Sequence, residues 1–138
     1  MHSINSTDAK STIPELCISA IASGLKEIAV TDHFEPQPGN EEYSQYSAGN
    51  YFFDLMKVRA VFRGQLIIKR GVELGQPHLY PESSGNLINS HFYDFVLGSA
   101  HKMKNGIDFG DIVYSSENVS FYCDRYLDEL KALAEWNR

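Results

Sequence analysis

The sequence predicts an α/β fold, and three observations carry that prediction. Helical and strand-like periods alternate along the chain, the strand-like runs are almost continuously apolar, and each run stops at a side chain able to bind a metal ion. Strands separated by helices imply parallel pairing. Unbroken apolar strands are those that helices cover, in a parallel sheet or barrel.

The elements follow in order. Thr12-Ile-Pro-Glu15 is a capping box with Pro in the first turn, where its missing N–H costs nothing. Leu16, Cys17, Ala20 and Ile21 recur at helical spacing, and Gly24 closes the helix. Leu25 to Thr31 reads as a first strand that ends at Asp32-His33. Glu35 to Gly49, with Pro36, Pro38 and Gly39, reads as a long loop. Asn50 then caps a helix with Phe52, Leu55, Met56, Arg59 and Phe62 along one side, ending near Gly64. Leu66 to Val72 is a strand that stops at Glu73. A Pro/Gly/Ser-rich stretch from Gly75 to Asn89 holds one short helix after Pro81. Tyr93 to Ser99 is a third strand that stops at His101, and Ser116 caps a last helix running almost to Arg138. The Tyr and Phe residues between Val119 and Trp136 read as core.

A chain of 138 residues has room for one domain and a sizeable core. Its 43% hydrophobic, 12% aromatic and 22% charged residues exclude disorder, collagen and coiled coil. No run approaches the roughly 18 apolar residues of a membrane helix, and no signal-peptide pattern opens the chain. A net charge of −6 makes it a poor clamp for nucleic acid but leaves room for cations held by local carboxylates. Cys17 and Cys123 show no CxxC or finger spacing and read as two buried thiols in a reducing cytosol, so a cytoplasmic location is expected.

In parallel α/β folds the C-terminal strand ends converge on one face, and sites are built there. The three strand ends here carry Asp32-His33, Glu73 and His101, donors suited to zinc, manganese or iron. His2 and Asp8, just before the first helix, would hang over the same face. His78, in the loop beyond Glu73, reads as a solvated histidine near the mouth of that site; with Lys102 it is a weak candidate for touching substrate, as is Lys104. His91 lies at the opposite end and has no assigned role, while Arg59, Arg63, Lys69 and Arg70 read as a solvated face.

Taken in order, His2-Ser3 with Asp8, Gly24 to Thr31-Asp32-His33, Gly71-Val72-Glu73-Leu74-Gly75, and Asp94 to Gly98-Ser99-Ala100-His101 form a pattern. That pattern resembles the PHP (polymerase and histidinol phosphatase) superfamily of metal-dependent phosphoesterases. The Gln76-Pro77 extension after Glu73 and the Gly-Ser-x-His spacing resemble its histidinol-phosphatase branch. The resemblance implies a distorted TIM-like barrel of about seven βα units, of which residues 1–138 would hold about four as a partial PHP domain. It implies up to three divalent ions (Zn, Mn or Fe), with His2 on the first, Asp8 and His33 on the second, Glu73 bridging, and His101 on the third. Asp32 would orient its neighbours from behind.

The implied reaction is hydrolysis of a small phosphorylated substrate, L-histidinol phosphate, to L-histidinol and phosphate in histidine biosynthesis, with a metal-activated hydroxide as nucleophile. The alternatives are another phosphoesterase of the superfamily, acting on a nucleotide or sugar phosphate, and a non-catalytic metal-binding remnant. The family pattern opens Asp-x-His-x-His after a first strand, and it supplies later histidines and a late Asp-x-His. Here the chain starts at Met1-His2 and has no histidine after His101. The first strand and the C-terminal half are therefore expected to be absent, each ion to lack a ligand, and metal binding and turnover by this chain to be weak. Exposed barrel edges would invite self-association.

Overall fold

The computed structural model describes residues 1–36 and 46–136. Among the described residues, four strands and four helices follow in the order α1 (Ile13–Ala22), β1 (Glu27–Val30), β2 (His33–Phe34), α2 (Ala48–Val61), β3 (Ile67–Gly75), α3 (Pro81–Ser90), β4 (Phe95–Ser99), a 3-10 turn at Phe109–Asp111 and α4 (Val119–Trp136). The expected α/β architecture is present, and every strand pairing in it is parallel.

β3 is the central strand. β1 pairs with it from Glu27↔Ile67 to Val30↔Arg70, and β2 from His33↔Glu73 to Phe34↔Leu74. The two pairings share one register, so β1 and β2 are a single course interrupted at Thr31-Asp32. β4 pairs with the same stretch of β3 as β2, from Gly71↔Phe95 to Gly75↔Ser99, and so takes its other edge. At the interruption the Tyr51 hydroxyl donates to Val30 O (2.6 Å) and accepts from Gly71 N–H (3.0 Å), replacing one rung of the ladder. Gly71 has no Cβ because one would strike Thr31 and the Val30 carbonyl. Met1 lies along β1, its amino group donating to Ala29 O (3.1 Å) and its carbonyl accepting from Thr31 N–H (2.8 Å).

The core lies under α1 and α2. Ile13, Cys17 and Ala20 of α1 and Tyr51, Leu55 and Val58 of α2 pack with Ile28, Val30, Leu66 and Ile68. The capping box forms as the sequence predicts, with Thr12 and Glu15 bonding reciprocally, and Gly24 takes a left-handed φ of 77° beyond the C-cap.

Several boundaries differ from the sequence reading. Ser47 caps α2, not Asn50, and the buried row is Tyr51-Leu55-Val58-Phe62, so Met56 and Phe53 face outward. That row also keeps helical spacing, and a pattern rich in aromatics fits two adjacent stripes. β3 runs two residues past Glu73, α3 is a full ten residues, and α4 starts at Val119. The expected loop over Glu35–Gly49 falls largely on residues 37–45, outside the described residues; Ala48 and Gly49 belong to α2.

The aromatic pattern of the last helix predicts core, yet no residue of α4 is buried. Phe121 and Leu127 are exposed; α4 packs along β4, at one edge of the described sheet, where Leu133 lies against Gly98. Cys123, on α4, is consequently exposed, which corrects the reading of two buried thiols; Cys17 is buried. Arg70 is not simply solvated: its guanidinium grips Asp94 at 3.0 and 3.1 Å.

Candidate metal centre

The site is assembled at the C-terminal ends of the strands. Residues two apart on a strand share a face, so His33 and Glu35 project together, as do Glu73 and Gly75. The His33↔Glu73 register sets these pairs side by side. His101 follows β4 by two residues, and the loop from His2 to Asp8 closes over them. His2 and His33 rings lie 4.4 Å apart, and those of His33 and His101 5.0 Å apart.

Each of these rings turns Nε2 toward a carboxylate oxygen. His2 Nε2 is 3.3 Å from Glu73 Oε2, His33 Nε2 is 3.3 Å from Asp8 Oδ2, and His101 Nε2 is 3.1 Å from Glu73 Oε1. All five residues singled out from the sequence therefore converge. Two ligands of one ion, each bonded at about 2.1 Å, stand about 3.0–3.4 Å apart. The buried Nδ1 atoms of His2 and His33 have no hydrogen-bond partner, so protein atoms alone leave the cluster unsatisfied. The Nε2-to-carboxylate spacing and the donor types together fit divalent metal ions.

Asp32 is fully buried beneath this layer. It accepts from Ser3 N–H, from the Ser3 hydroxyl (2.7 Å) and from the Ser6 hydroxyl (3.1 Å), while Ser6 Oγ accepts from His33 N–H (2.8 Å). It thus fixes the loop that carries His2 and Asp8 against the strand that carries His33. Ser99 donates to Glu73 Oε1 at 2.6 Å.

The sequence pattern does not single out Glu35 or give a role to Gln76. Glu35 Oε1 lies 2.6 Å from His101 Nδ1 and 3.5 Å from His33 Nδ1, and Gln76 Nε2 donates to its Oε2 at 2.9 Å. Gln76 Oε1 accepts from the backbone N–H of His101 (2.7 Å) and of Lys102 (3.2 Å). Gln76 is buried with φ at 49°, a strained left-handed position that these bonds hold. The available signal is the i, i+2 spacing of His33 and Glu35, which a strand read as ending at Thr31 conceals.

Charge pairing sets the ionisation. Hydrogen bonds donated to the Glu35 and Glu73 carboxylates push His101 up to about 10 against the opposing effect of burial. The bond to His101 holds Glu73 at about 2, with Ser99 assisting. Burial alone would raise the Glu35 carboxyl, but His101, His33 and Gln76 outweigh it and hold it at about 2. Burial lowers His33, and Glu35, Glu73 and Asp8 more than restore it, for a net rise.

A cleft of about 460 Å3 opens beside the cluster, lined among others by Asp8, His33, Glu35, His101, Lys102 and Tyr126. Lys102 thus borders the cleft while itself largely buried. His78 does not line it. Its side chain is only 4% exposed and bonds Glu129 of α4 at 2.7 Å, so it is not the solvated histidine the loop composition predicts. His91 stacks on Phe52 and hydrogen-bonds Ser90, away from the cluster.

Histidines and carboxylates gathered at the C-terminal edge of a parallel sheet define a metal-competent α/β domain. Comparison with known proteins narrows the class. The chain belongs to the PHP domain family, whose model matches residues 1–136. It is 30% identical over 129 residues to histidinol-phosphatase of Lactococcus lactis subsp. lactis (strain IL1403), covering 93% of this chain and 45% of that protein. It is 28% identical over 136 residues to a probable histidinol-phosphatase of Clostridium acetobutylicum, covering 96% and 49%. The crystal structure of the L. lactis histidinol phosphate phosphatase, complexed with zinc, L-histidinol and phosphate, superposes with a TM-score of 0.66 at 29% identity. That match covers 75% of this chain and 39% of the other. The chain spans about half the length of these curated relatives. Among the described residues, no helix is long and apolar enough to cross a membrane.

Proposed function

We propose that this chain carries the metal-binding portion of a divalent-metal-dependent phosphomonoester hydrolase whose substrate is L-histidinol phosphate. The observation that carries the reading is the convergence of His2, His33 and His101 on Asp8 and Glu73 at ligand-to-ligand spacing. His2 and Glu73 would hold one ion, Asp8 and His33 a second, and Glu73 and His101 a third. Zinc fits this imidazole–carboxylate mix, and so do manganese and iron.

When bound, such ions supply an acidified water for attack and offset the negative charge of the phosphate. The chain's own residues do the rest. Asp32 keeps the His2–Asp8 loop in place, Ser99 orients the Glu73 carboxylate, and Lys102 borders the cleft where a phosphate would enter. No side-chain nucleophile is needed. With two protein ligands assigned to each ion among the described residues, binding is weaker than in a four-ligand site, and turnover by this chain is slow.

The test is release of inorganic phosphate from L-histidinol phosphate, a nucleoside monophosphate and a sugar phosphate, with zinc or manganese added. The expected result is release that is fastest with L-histidinol phosphate, stops with chelator and is lost in Glu73→Ala. Faster release from another ester would move the substrate. Zinc binding with no release from any ester would leave a binding module, and release indifferent to chelator would overturn the metal-dependent reading.

A further inference from the structure

We infer that Glu35 is a positioning residue that fixes which ring nitrogens of His101 and His33 face the metal ions. The inference rests on the reading of the cluster as a metal centre and adds to it a carboxylate that belongs to none of the assigned ligand pairs.

A histidine that binds a metal through one nitrogen carries its proton on the other, and an acceptor there fixes both the tautomer and the ring's orientation. Glu35 stands in that place. Its Oε1 is 2.6 Å from His101 Nδ1, while the same ring's Nε2 is 3.1 Å from Glu73. It is 3.5 Å from His33 Nδ1, a buried nitrogen with no hydrogen-bond partner, while that ring's Nε2 faces Asp8. One carboxylate oxygen thus lies between two Nδ1 atoms whose opposite nitrogens both point at assigned ligands.

The chain is shaped to hold Glu35 there. Gln76, strained and buried, clamps its other oxygen while tying down the backbone of His101 and Lys102. Residue 75 beside it is glycine, and a Cβ built at that position runs into the Glu35 carboxylate and nothing nearer. Gly75 does not take a left-handed φ. Its missing side chain therefore serves the space that Glu35 fills, not the backbone.

This gives two independent variants. Glu35→Ala removes the carboxylate, and Gly75→Ala displaces it while leaving it in the chain. Zinc is titrated into each full-length protein by calorimetry, and histidine ring nitrogens of the zinc-loaded proteins are read by long-range proton–nitrogen-15 correlation. The wild-type chain is expected to show His101 and His33 protonated at Nδ1 and metal-bound at Nε2. Both variants are expected to lose roughly 10–100-fold in zinc affinity and to lose the single-tautomer signature of His101. Wild-type affinity and ring protonation in both variants would overturn the inference, as would a zinc-loaded wild-type chain with metal on His101 Nδ1 and Glu35 itself a ligand. Either result leaves the metal-centre reading standing. A wild-type chain that takes up no zinc overturns that reading and the inference with it.

Discussion

Two helices that flank the sheet, α2 and α4, carry similar apolar spacing and meet opposite fates. On α2, Tyr51, Leu55 and Val58 are buried against α1 and the β1–β3 strands. On α4, nothing is buried, and Phe121, Leu127 and Val119 face outward. Helical periodicity says which face is apolar; it does not say whether another layer covers that face. The metal-competent cluster draws on both regions. Its His2, Asp8 and His33 stand on the packed side and His101 follows the exposed β4. Its geometry therefore depends on hydrogen bonds that link the two, Ser99 to Glu73, the His101 ring to Glu35 and the His101 backbone N–H to Gln76.

The sharpest way to break this comparison is to cut matched side chains. Leu55→Ala in the packed region should destabilise the chain by about 2–5 kcal/mol in urea melts, through lost burial and a cavity. Leu127→Ala on α4 should change stability by about 0.5 kcal/mol or less. Equal losses would mean that α4 is covered in solution.

The cluster joins the two regions, and Glu73 lies at the junction. Glu73→Ala should weaken zinc binding by roughly 100-fold or more, at or beyond the loss seen for groups that only support a ligand. Calorimetry checks it, and a loss no greater than that of Asp8→Ala would argue against a shared carboxylate.

Within the packed region, Tyr51 bridges the interrupted strand course. Tyr51→Phe leaves Val30 C=O and Gly71 N–H without their partner and should cost about 1–3 kcal/mol by thermal melting. A neutral outcome would mean that the ladder closes without the hydroxyl.

A smaller loss than that of Tyr51→Phe is expected near the surface, where Arg70 pulls the Asp94 carboxyl down to about 2. A depressed carboxyl stabilises the fold above its ordinary value of 3.8, and that stability is lost as the pH falls through about 2. Asp94→Asn should therefore cost about 0.5–1 kcal/mol near neutral pH, as exposed pairs do. The gap from wild type should close in acid. A gap that persists at low pH would assign the loss to something other than this ion pair.

Much of the site is legible in the sequence because strand ends in parallel folds converge, which groups His33, Glu73 and His101 by position alone. His2 and Asp8 follow from their place before α1. Glu35 is hidden by a misplaced strand end: with the strand stopped at Thr31, its alternation with His33 goes unseen. Gln76 is hidden because its role depends on a left-handed backbone that no side-chain pattern announces. His78 looks solvated by loop composition, but its burial comes with Glu129, far away in sequence. The exposure of α4 and of Cys123 is illegible for the same reason, since burial is decided by what packs across, not by the helix itself.

The central claim is that this histidine–carboxylate cluster is a divalent metal centre. Anomalous diffraction at the zinc absorption edge, from crystals of the zinc-loaded chain, tests it most directly. The predicted result is anomalous density within about 2.0–2.3 Å of the Nε2 atoms of His33 and His101 and of the Glu73 carboxylate. A cluster without anomalous density at saturating zinc, or zinc bound only elsewhere on the surface, would contradict it.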